Sequence, residues 1–199
     1  GGPGGPSLQA ASQNVELVGQ IGGPVYAVAV SGTLAYVGVG PRLVILNIAD
    51  PAHPAVVGQT GVLPDILRDV AVAGSYAYVA DQAGGLRIIN IANPAAPLFV
   101  GAYQTTNAYG VFVAGNLAYV ADYNGGLKII DVSNPASLRE VGAYDTPGFA
   151  TDVALAGELA YVTDGPAGLR VIDISNPASP HQVGACDTPG PAWAVALAG

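Results

Sequence analysis

Three aspartates recur at equivalent positions in the sequence and could act together in chemistry. Asp81, Asp122 and Asp164 each follow a short apolar segment and stand beside a Gly-containing turn. Equivalent positions of a repeated structure lie at the same end of it, so these three carboxylates could gather there. Hard cations prefer carboxylate ligands. A carboxyl group can also serve as a general acid or base. A metal site or a catalytic acid is therefore one interpretation of this set.

A basic residue six positions after each aspartate favours a structural interpretation. In the first copy of the pattern both members are lost together, because Val39 and Val44 stand at the two positions. Joint loss indicates a surface salt bridge across a hairpin, and such a pair would contribute on the order of 0.5 kcal/mol. We therefore predict structural pairs and no metal or catalytic residue. The predicted pairs are Asp81 with Arg87, Asp122 with Lys128, and Asp164 with Arg170.

A second set of residues varies against the repeat and stands just before the first strand of each copy. These positions carry Tyr26, Arg68, Tyr109, Thr151 and Trp193. Aromatic and Arg residues are frequent among the side chains that dominate binding energy, and loops at one mouth form pockets. The alternative is aromatic packing that covers a central channel. The predicted ligand or partner surface consists of Tyr26, Arg68, Tyr109, Trp193 and the neighbouring turn residues Tyr123 and Asn124.

Enzyme classes that need histidine or clustered metal ligands find little support in the sequence. The two histidines, His53 and His181, stand in Pro-flanked segments between strands. A Ser-His-Asp triad needs a positioned histidine, and a zinc site needs several His and Cys side chains, whereas Cys186 is the single cysteine. The sequence therefore predicts no catalytic residue, no bound metal and no cofactor.

A repeat with a period of 41 to 43 residues must position all of these side chains. Its register runs from a glycine to a tyrosine four residues later and then to an Asp-Pro or Asn-Pro pair. A fixed period near this length is typical of stacked units that cannot bury their apolar faces alone. The glycine and tyrosine of the four copies are Gly32 and Tyr36, Gly74 and Tyr78, Gly115 and Tyr119, and Gly157 and Tyr161.

Each repeat contains four short segments rich in β-branched and aromatic residues. In the fourth copy they cover residues 152–156, 159–162, 169–174 and 181–184, with Gly, Pro and Asn between them. This pattern predicts four antiparallel strands joined by tight turns, and no helix. Four-stranded units repeated at this spacing are the blades of a β-propeller. The predicted fold is therefore an all-β propeller.

The predicted domain organisation places a Gly/Pro-rich linker before the repeats and partial strands at both ends of them. The complete blades are expected near residues 26–60, 68–103, 109–144 and 151–186. An unpaired outer strand at 14–20 precedes them, an unpaired inner strand at 192–199 follows, and the linker covers 1–13. Three explanations stay open: the chain is a piece of a larger propeller, a second chain supplies the missing strands, or repeats stack across subunits as an assembly or filament.

The third-strand segments of the later copies carry a family resemblance. Residues 168–177 are Gly-Leu-Arg-Val-Ile-Asp-Ile-Ser-Asn-Pro, and residues 126–135 are closely similar. These sequence segments resemble the LVIVD repeat family, and the resemblance extends over roughly residues 14 to 199. It implies a β-propeller in surface or secreted proteins of bacteria and archaea, mostly without assigned chemistry. The first copy departs from the pattern at Val39-Gly40-Pro41-Arg42.

Composition restricts the partners. The formal net charge is -8, with Lys128 the one lysine among six basic residues, so no basic patch is available to neutralise nucleic-acid phosphates or to bind an anionic membrane. The sequence contains no apolar run long enough to insert into a membrane. We expect an extracellular or cell-surface location, with a protein or a glycan as partner, or further copies of the chain in a homo-oligomer.

Three functional hypotheses remain. The leading one is a non-enzymatic scaffold that presents loops for protein or glycan interaction, because binding residues commonly lie on loops held by a rigid frame. The second is a self-assembling subunit, multi-subunit or filamentous, completed by strands between chains. The third is a hydrolase or lyase propeller.

Overall fold

The computed structural model describes residues 25–197, and within them the chain is all β. No helix in this range is long and apolar enough to cross a membrane. The strands are β1 (Val25–Ser31), β2 (Leu34–Val39), β3 (Arg42–Asn47), β4 (Ala55–Gln59), β5 (Asp69–Ala73), β6 (Tyr76–Ala80), β7 (Leu86–Asn90), β8 (Leu98–Tyr103), β9 (Gly110–Ala114), β10 (Leu117–Ala121), β11 (Leu127–Asp131), β12 (Arg139–Tyr144), β13 (Asp152–Ala156), β14 (Leu159–Thr163), β15 (Leu169–Asp173) and β16 (His181–Cys186).

Every four consecutive strands form one antiparallel sheet, in chain order from the inner to the outer strand. We call these sheets blades 1 to 4, and they confirm the predicted fold class. The inner strands contact one another in sequence, β1 with β5, β5 with β9 and β9 with β13. The predicted linker at 1–13 and outer strand at 14–20 lie outside the described residues. Residues 192–197 of the predicted inner strand at 192–199 form one bridge, between Ala192 and Gly165, and otherwise no strand in the described part of the chain.

Tight turns set the strand register within each blade. Gly74 adopts a φ of 57° at the first position of the two-residue turn between β5 and β6. This left-handed conformation is free of steric cost for glycine, and a turn of this kind matches the twist of the two strands. The turn places Tyr78 opposite Ala71, so the tyrosine projects from the blade at the same height in every repeat.

The core lies between blades, because the two middle strands of each blade are largely apolar on both faces. Tyr78, Leu86 and Ile88 on blade 2 pack against a cluster on blade 3 that includes Val120 and Ile130. All five side chains are buried. Removing one large apolar side chain from water contributes about 1.5–3 kcal/mol, so each blade is stabilised mainly by its neighbours.

Glycines in the outer strands allow successive blades to nest closely. A Cβ at Gly101 would overlap the carbonyl oxygen of Pro135, in the turn of the next blade. The same overlap would occur between Gly58 and Pro94. The glycine of the outer strand and the Asn-Pro turn of the following blade therefore form one contact that recurs along the chain.

The aspartates predicted to form surface pairs are fully buried, so the surface part of that prediction is wrong. Their carboxylates lie beneath the loops that enter each blade from the preceding one, and they accept hydrogen bonds from the backbone of these loops. These partly buried backbone N–H groups gain their acceptors because the aspartates point inward. The donors are Asp65 N at 3.2 Å from Asp81, Thr106 N at 3.0 Å and Asn107 N at 2.6 Å from Asp122, and Gly148 N at 2.9 Å from Asp164.

Two of the three predicted partners stand beside their aspartate. The Nε atom of Arg87 lies 3.3 Å from Asp81 Oδ2, and that of Arg170 lies 3.5 Å from Asp164 Oδ2. Burial raises the pKa of Asp81 to about 6, although the hydrogen bond from Asp65 and the charge of Arg87 act in the opposite direction.

Lys128 has a different partner. Its Nζ atom lies 3.6 Å from Glu140 Oε2 on β12, and the ion pairs among the described residues include none between Lys128 and Asp122. Both oxygens of Asp122 already accept backbone hydrogen bonds, while Glu140 offers a half-exposed carboxylate on the adjacent strand. The predicted Asp122–Lys128 pair is therefore replaced by one between Lys128 and Glu140.

We predict that Asp122→Ala lowers the free energy of unfolding by roughly 2 kcal/mol, because the partly buried backbone N–H groups of Thr106 and Asn107 lose their acceptor. Lys128→Ala, which removes a half-exposed pair, should cost less than about 1 kcal/mol. Urea denaturation of both variants measures the two losses. Equal losses would contradict the assignment of Asp122 to the loop backbone.

Candidate functional site

The variable residues that precede the inner strands converge on one pocket. This pocket has a volume of about 280 Å³, and we call it the mouth pocket. Four of the six predicted binding residues lie in its wall. The lining residues are Tyr26, Arg68, Asp69, Tyr109, Thr151, Asp152, Trp193 and Ala194.

The same backbone contact positions these residues in successive blades. The amide of Arg68 donates to the carbonyl oxygen of Ala80 at 2.8 Å, and Tyr109 donates to Ala121 at the same distance. Because each acceptor is the last residue of the second strand, the inner strand begins at a fixed height in the blade. The preceding side chains are thereby brought to one mouth.

A continuous stack of planar side chains crosses this mouth. The guanidinium carbon of Arg68 lies 5.5 Å from the ring centroid of Tyr26 and 4.9 Å from that of Tyr109. Tyr109 stacks on Tyr123 at 4.8 Å, and Tyr123 stacks on Phe149 at 4.6 Å. We call these five residues the aromatic stack. Cation–π and offset stacking contacts of this kind favour a fixed arrangement of the rings.

Backbone conformation and one polar contact support the stack. Tyr123 has a φ of 47°, an uncommon left-handed value for a residue other than glycine, and its amide and carbonyl pair with Ala150. The Nε atom of Arg68 donates to Gln82 Oε1 at 2.9 Å. The turns between second and third strands therefore hold both Tyr123 and Arg68 in place.

The remaining predicted residues differ in their placement. Tyr123 lies behind Tyr109 and outside the pocket wall, and Asn124 is exposed on the following turn. Phe149 was missed by the sequence analysis, which considered the residue directly before each inner strand, whereas Phe149 stands two residues before Thr151. Trp193 is 60% exposed in the pocket wall.

Two aspartates in the pocket wall were also missed. Asp69 accepts backbone hydrogen bonds from Val70 and from Val111 of the next blade, both at 2.8 Å. Asp152 accepts from Val153 at 2.8 Å and from Val195 at 2.9 Å. Each carboxylate therefore connects one inner strand to the next segment around the channel, and we call these contacts aspartate clips.

A visible signal could have identified the clips. The residue at this position alternates along the chain between a small residue and an aspartate, through Ala27, Asp69, Gly110, Asp152 and Ala194. At Gly110 a Cβ would lie 2.8 Å from the Cα of Asp152, so a side chain there is sterically excluded. The close approach of the next inner strand therefore explains the glycine at position 110, and the alternation itself is a sequence pattern.

Burial makes the carboxyl groups of the aspartate clips weaker acids than usual. Desolvation raises the pKa of Asp69 to about 6, and the nearby negative charge of Asp152 adds a smaller upward effect. Desolvation also raises the pKa of Asp152. The hydrogen bonds from the backbone act against both shifts and are too weak to cancel them.

Other candidate chemistry lies away from the mouth pocket. In residues 25–197 no group of three or more His, Cys, Asp or Glu side chains is arranged to hold a metal ion. His53 is exposed and its Nδ1 lies 2.8 Å from Asp50 Oδ2, and both His181 and Cys186 are exposed on β16. The mouth pocket is thus the site where predicted residues, aromatic surface and polar groups coincide.

We predict that the pH dependence of stability changes in Asp69→Asn. Because the folded pKa of about 6 exceeds the unfolded value, the stabilising contribution of Asp69 is complete below about pH 4 and is lost as the pH rises through 6. The unfolding free energy of the natural chain relative to Asp69→Asn should fall by roughly 2 kcal/mol between pH 4 and 7. Denaturant titrations across this range measure it, and a pH-independent difference would contradict the assignment.

Comparisons with known proteins identify the fold and the family. The designed protein Ika8 has a TM-score of 0.70 and 10% identity, over 88% of this chain and 53% of Ika8, so the chain spans about half the length of that protein. The designed protein Ika4 has a TM-score of 0.63 and 12% identity, over 79% of this chain and 96% of Ika4. At these identities the likeness shows the fold alone.

The comparison with curated proteins found no match. The profile of the LVIVD repeat matches residues 22–61, 66–105, 107–146 and 147–188, which together make up most of the sequence. The chain therefore belongs to the LVIVD repeat family.

Proposed function

We propose that the chain is a non-enzymatic scaffold, outside the cell or at its surface, that binds a glycan in the mouth pocket. The observation that carries this proposal is the meeting of exposed aromatic rings with partly buried carboxylates in a pocket of about 280 Å³. Ligand sites are concave and use a few convergent polar groups to orient the ligand. The lining of the mouth pocket is more polar than apolar, which suits a hydroxyl-rich ligand, and the pocket has room for about one sugar ring.

The side chains suit the two surfaces of a sugar. Tyr26 and Trp193, which are 50% and 60% exposed, offer ring faces to the C–H surface of a pyranose. Each oxygen of Asp69 accepts one backbone hydrogen bond, and a carboxylate has about four acceptor sites. The unused sites are available to sugar hydroxyl groups, whereas the buried hydroxyl of Thr151 is already hydrogen-bonded to Thr163 and Ala192.

The absence of a catalytic step is part of the proposal. The two carboxylates in the pocket accept backbone hydrogen bonds from neighbouring strands, and we assign them the role of holding the wall and orienting a ligand. The net charge of -8 supports a partner other than nucleic acid. A protein partner at the same mouth is the competing outcome.

We predict that Trp193→Ala and Tyr26→Ala each weaken binding of a glycan selected from an array by tenfold or more. The reason is the loss of an exposed stacking face. The melting temperature should change little, because Tyr26 is 50% exposed and Trp193 is 60% exposed. Phe99→Ala is the matched control, since Phe99 is 54% exposed on the outer strand β8 and should leave binding unchanged.

Two outcomes would overturn the glycan proposal. One is an array without any saturable ligand, which would leave a protein partner as the better candidate. The other is unchanged binding in both variants together with lowered melting temperatures, which would identify the rings as packing that covers the channel.

A second candidate function, self-assembly, is favoured by the inner strand of blade 1. Val28 and Val30 are 62% and 63% exposed. The equivalents of Val28 in blades 2 and 3 are Val70 and Val111, which pack against the preceding blade and are only 4% and 5% exposed. An apolar strand face of this kind is a surface for contact with further copies of the chain.

We predict that the molar mass from light scattering rises with protein concentration and that Val28→Glu suppresses the rise. The reason is that a charge on the exposed strand face must be desolvated in any contact between copies. Thr33→Glu on the adjacent turn serves as the control for added charge. A monodisperse monomer at all concentrations would exclude this candidate.

A further inference from the structure

A second pocket lies between blade 2 and the loop that enters this blade from blade 1. It has a volume of about 270 Å³, and we call it the arginine pocket. Its wall is formed by loop residues 60–64 and by Arg87, Pro97 and Phe99 of blade 2. Phe99 is exposed, whereas the side chain of Arg87 is mostly buried. The pocket therefore combines an accessible apolar surface with a cation at its base.

Arg87 has donors to spare in this pocket. Its Nε atom lies 3.3 Å from Asp81 Oδ2, and neither atom forms a hydrogen bond within the part of the chain that the structure describes. The guanidinium carbon lies 5.7 Å from the ring centroid of Phe99. A guanidinium carries five N–H donors in a planar fork, so its two terminal amino groups are suited to a further anion.

In blade 3 the equivalent place is filled by an acidic side chain of the protein. Phe99 and Glu140 occupy the same register position on β8 and β12. The carboxylate of Glu140 lies 3.6 Å from Lys128, which is the equivalent of Arg87. Blade 2 therefore carries an aromatic ring where blade 3 carries the carboxylate that pairs with the basic residue.

Blade 4 shows that an arginine at this position can contact two carboxylates at once. The Nε atom of Arg170 lies 3.5 Å from the buried Asp164, and its Nη2 atom lies 3.4 Å from the exposed Asp187. Asp187 directly follows β16, and the residue directly after β8 is the uncharged Gln104. Among the ion pairs of residues 25–197, Arg87 thus has the inner carboxylate and lacks the outer one.

The loop that forms the opposite wall is held in place by the backbone of blade 1. The amide of Thr60 donates to the carbonyl oxygen of Leu43 at 2.9 Å, and that of Leu63 donates to Pro41 at 2.8 Å. Val62 stands between these two anchors and is exposed. The apolar wall is therefore formed in advance, which lowers the entropic cost of binding.

We propose that the arginine pocket binds a small organic acid that joins one carboxylate to an apolar body. The carboxylate contacts the terminal amino groups of Arg87, as Asp187 contacts Arg170, and the apolar body packs against Phe99 and Val62. Charge-assisted hydrogen bonds of this kind are the stronger class, and the partial burial of the guanidinium strengthens them. The proposal stands independently of glycan binding at the mouth pocket.

The volume limits the size of the acid. Sites for drug-sized ligands start at roughly 300 Å³, so the arginine pocket suits an acid with about one ring or a short chain. Phenylacetate has this size and is the probe that we choose.

Phenylacetate is titrated into the full chain and followed by NMR of the backbone amides. We expect saturable binding with a Kd of about 1 mM or tighter, and shifts centred on residues 60–63 and 98–100. Phenylacetamide, which has the same shape without the charge, should bind at least tenfold more weakly. Equal affinities of acid and amide, or shifts confined to the mouth pocket, would overturn the proposal.

Phe99→Glu tests the pocket while keeping the arginine. Its carboxylate reproduces the pair of Glu140 with Lys128, so it should compete with the acid and weaken binding at least tenfold relative to Phe99→Gln. Phe99→Gln is the matched control, because it removes the ring without adding charge and should weaken binding only about threefold. Neither variant should change the melting temperature, because Phe99 is exposed.

Two further results would contradict the proposal. One is equal affinity of the Phe99→Glu and Phe99→Gln variants for phenylacetate, which would place the acid away from Arg87. The other is tighter binding of the peptide acetyl-Ala-Ala-Phe than of phenylacetate, which would replace the small acid by the C-terminus of a peptide.

Discussion

The burial of one blade against the next is the constraint on which the rest of the structure depends. A single four-stranded sheet with apolar residues on both faces leaves each face in water, and only stacking removes both from solvent. The tyrosine and aliphatic residues of one blade and the Ala, Val and Ile residues of the next form three separate clusters between successive blades. Position around the channel is thus determined pairwise, from neighbour to neighbour.

Carboxylates accept the backbone hydrogen bonds that apolar contact between blades does not satisfy. Loops that pass from one blade to the next carry partly buried backbone N–H groups, and these groups require acceptors. Asp122 meets that need at the loop between blades 2 and 3, and Asp69 meets it between neighbouring inner strands. The same low exposure that makes these hydrogen bonds valuable also makes the charged carboxylate costly, which is why the pKa of Asp69 rises.

The fold can be predicted from the periodicity of this sequence, whereas details of the site depend on contacts between repeats. Four strands per repeat and the convergence of Tyr26, Arg68, Tyr109 and Trp193 follow from a repeat whose equivalent positions must lie at equivalent heights. The position of Phe149 in the aromatic stack does not follow, because it depends on the left-handed backbone at Tyr123. The partner of Lys128 likewise depends on the distance between adjacent strands, which spacing along the chain does not define.

The aspartate clips follow a period twice as long as the sequence repeat. Clips occur at Asp69 and Asp152, in blades 2 and 4, and the small residues Ala27 and Gly110 stand at the equivalent positions of blades 1 and 3. The geometric unit of the channel wall is therefore a pair of blades, one with a clip and one with a small residue. A ring that kept this alternation would close without a mismatch only if its number of blades were even.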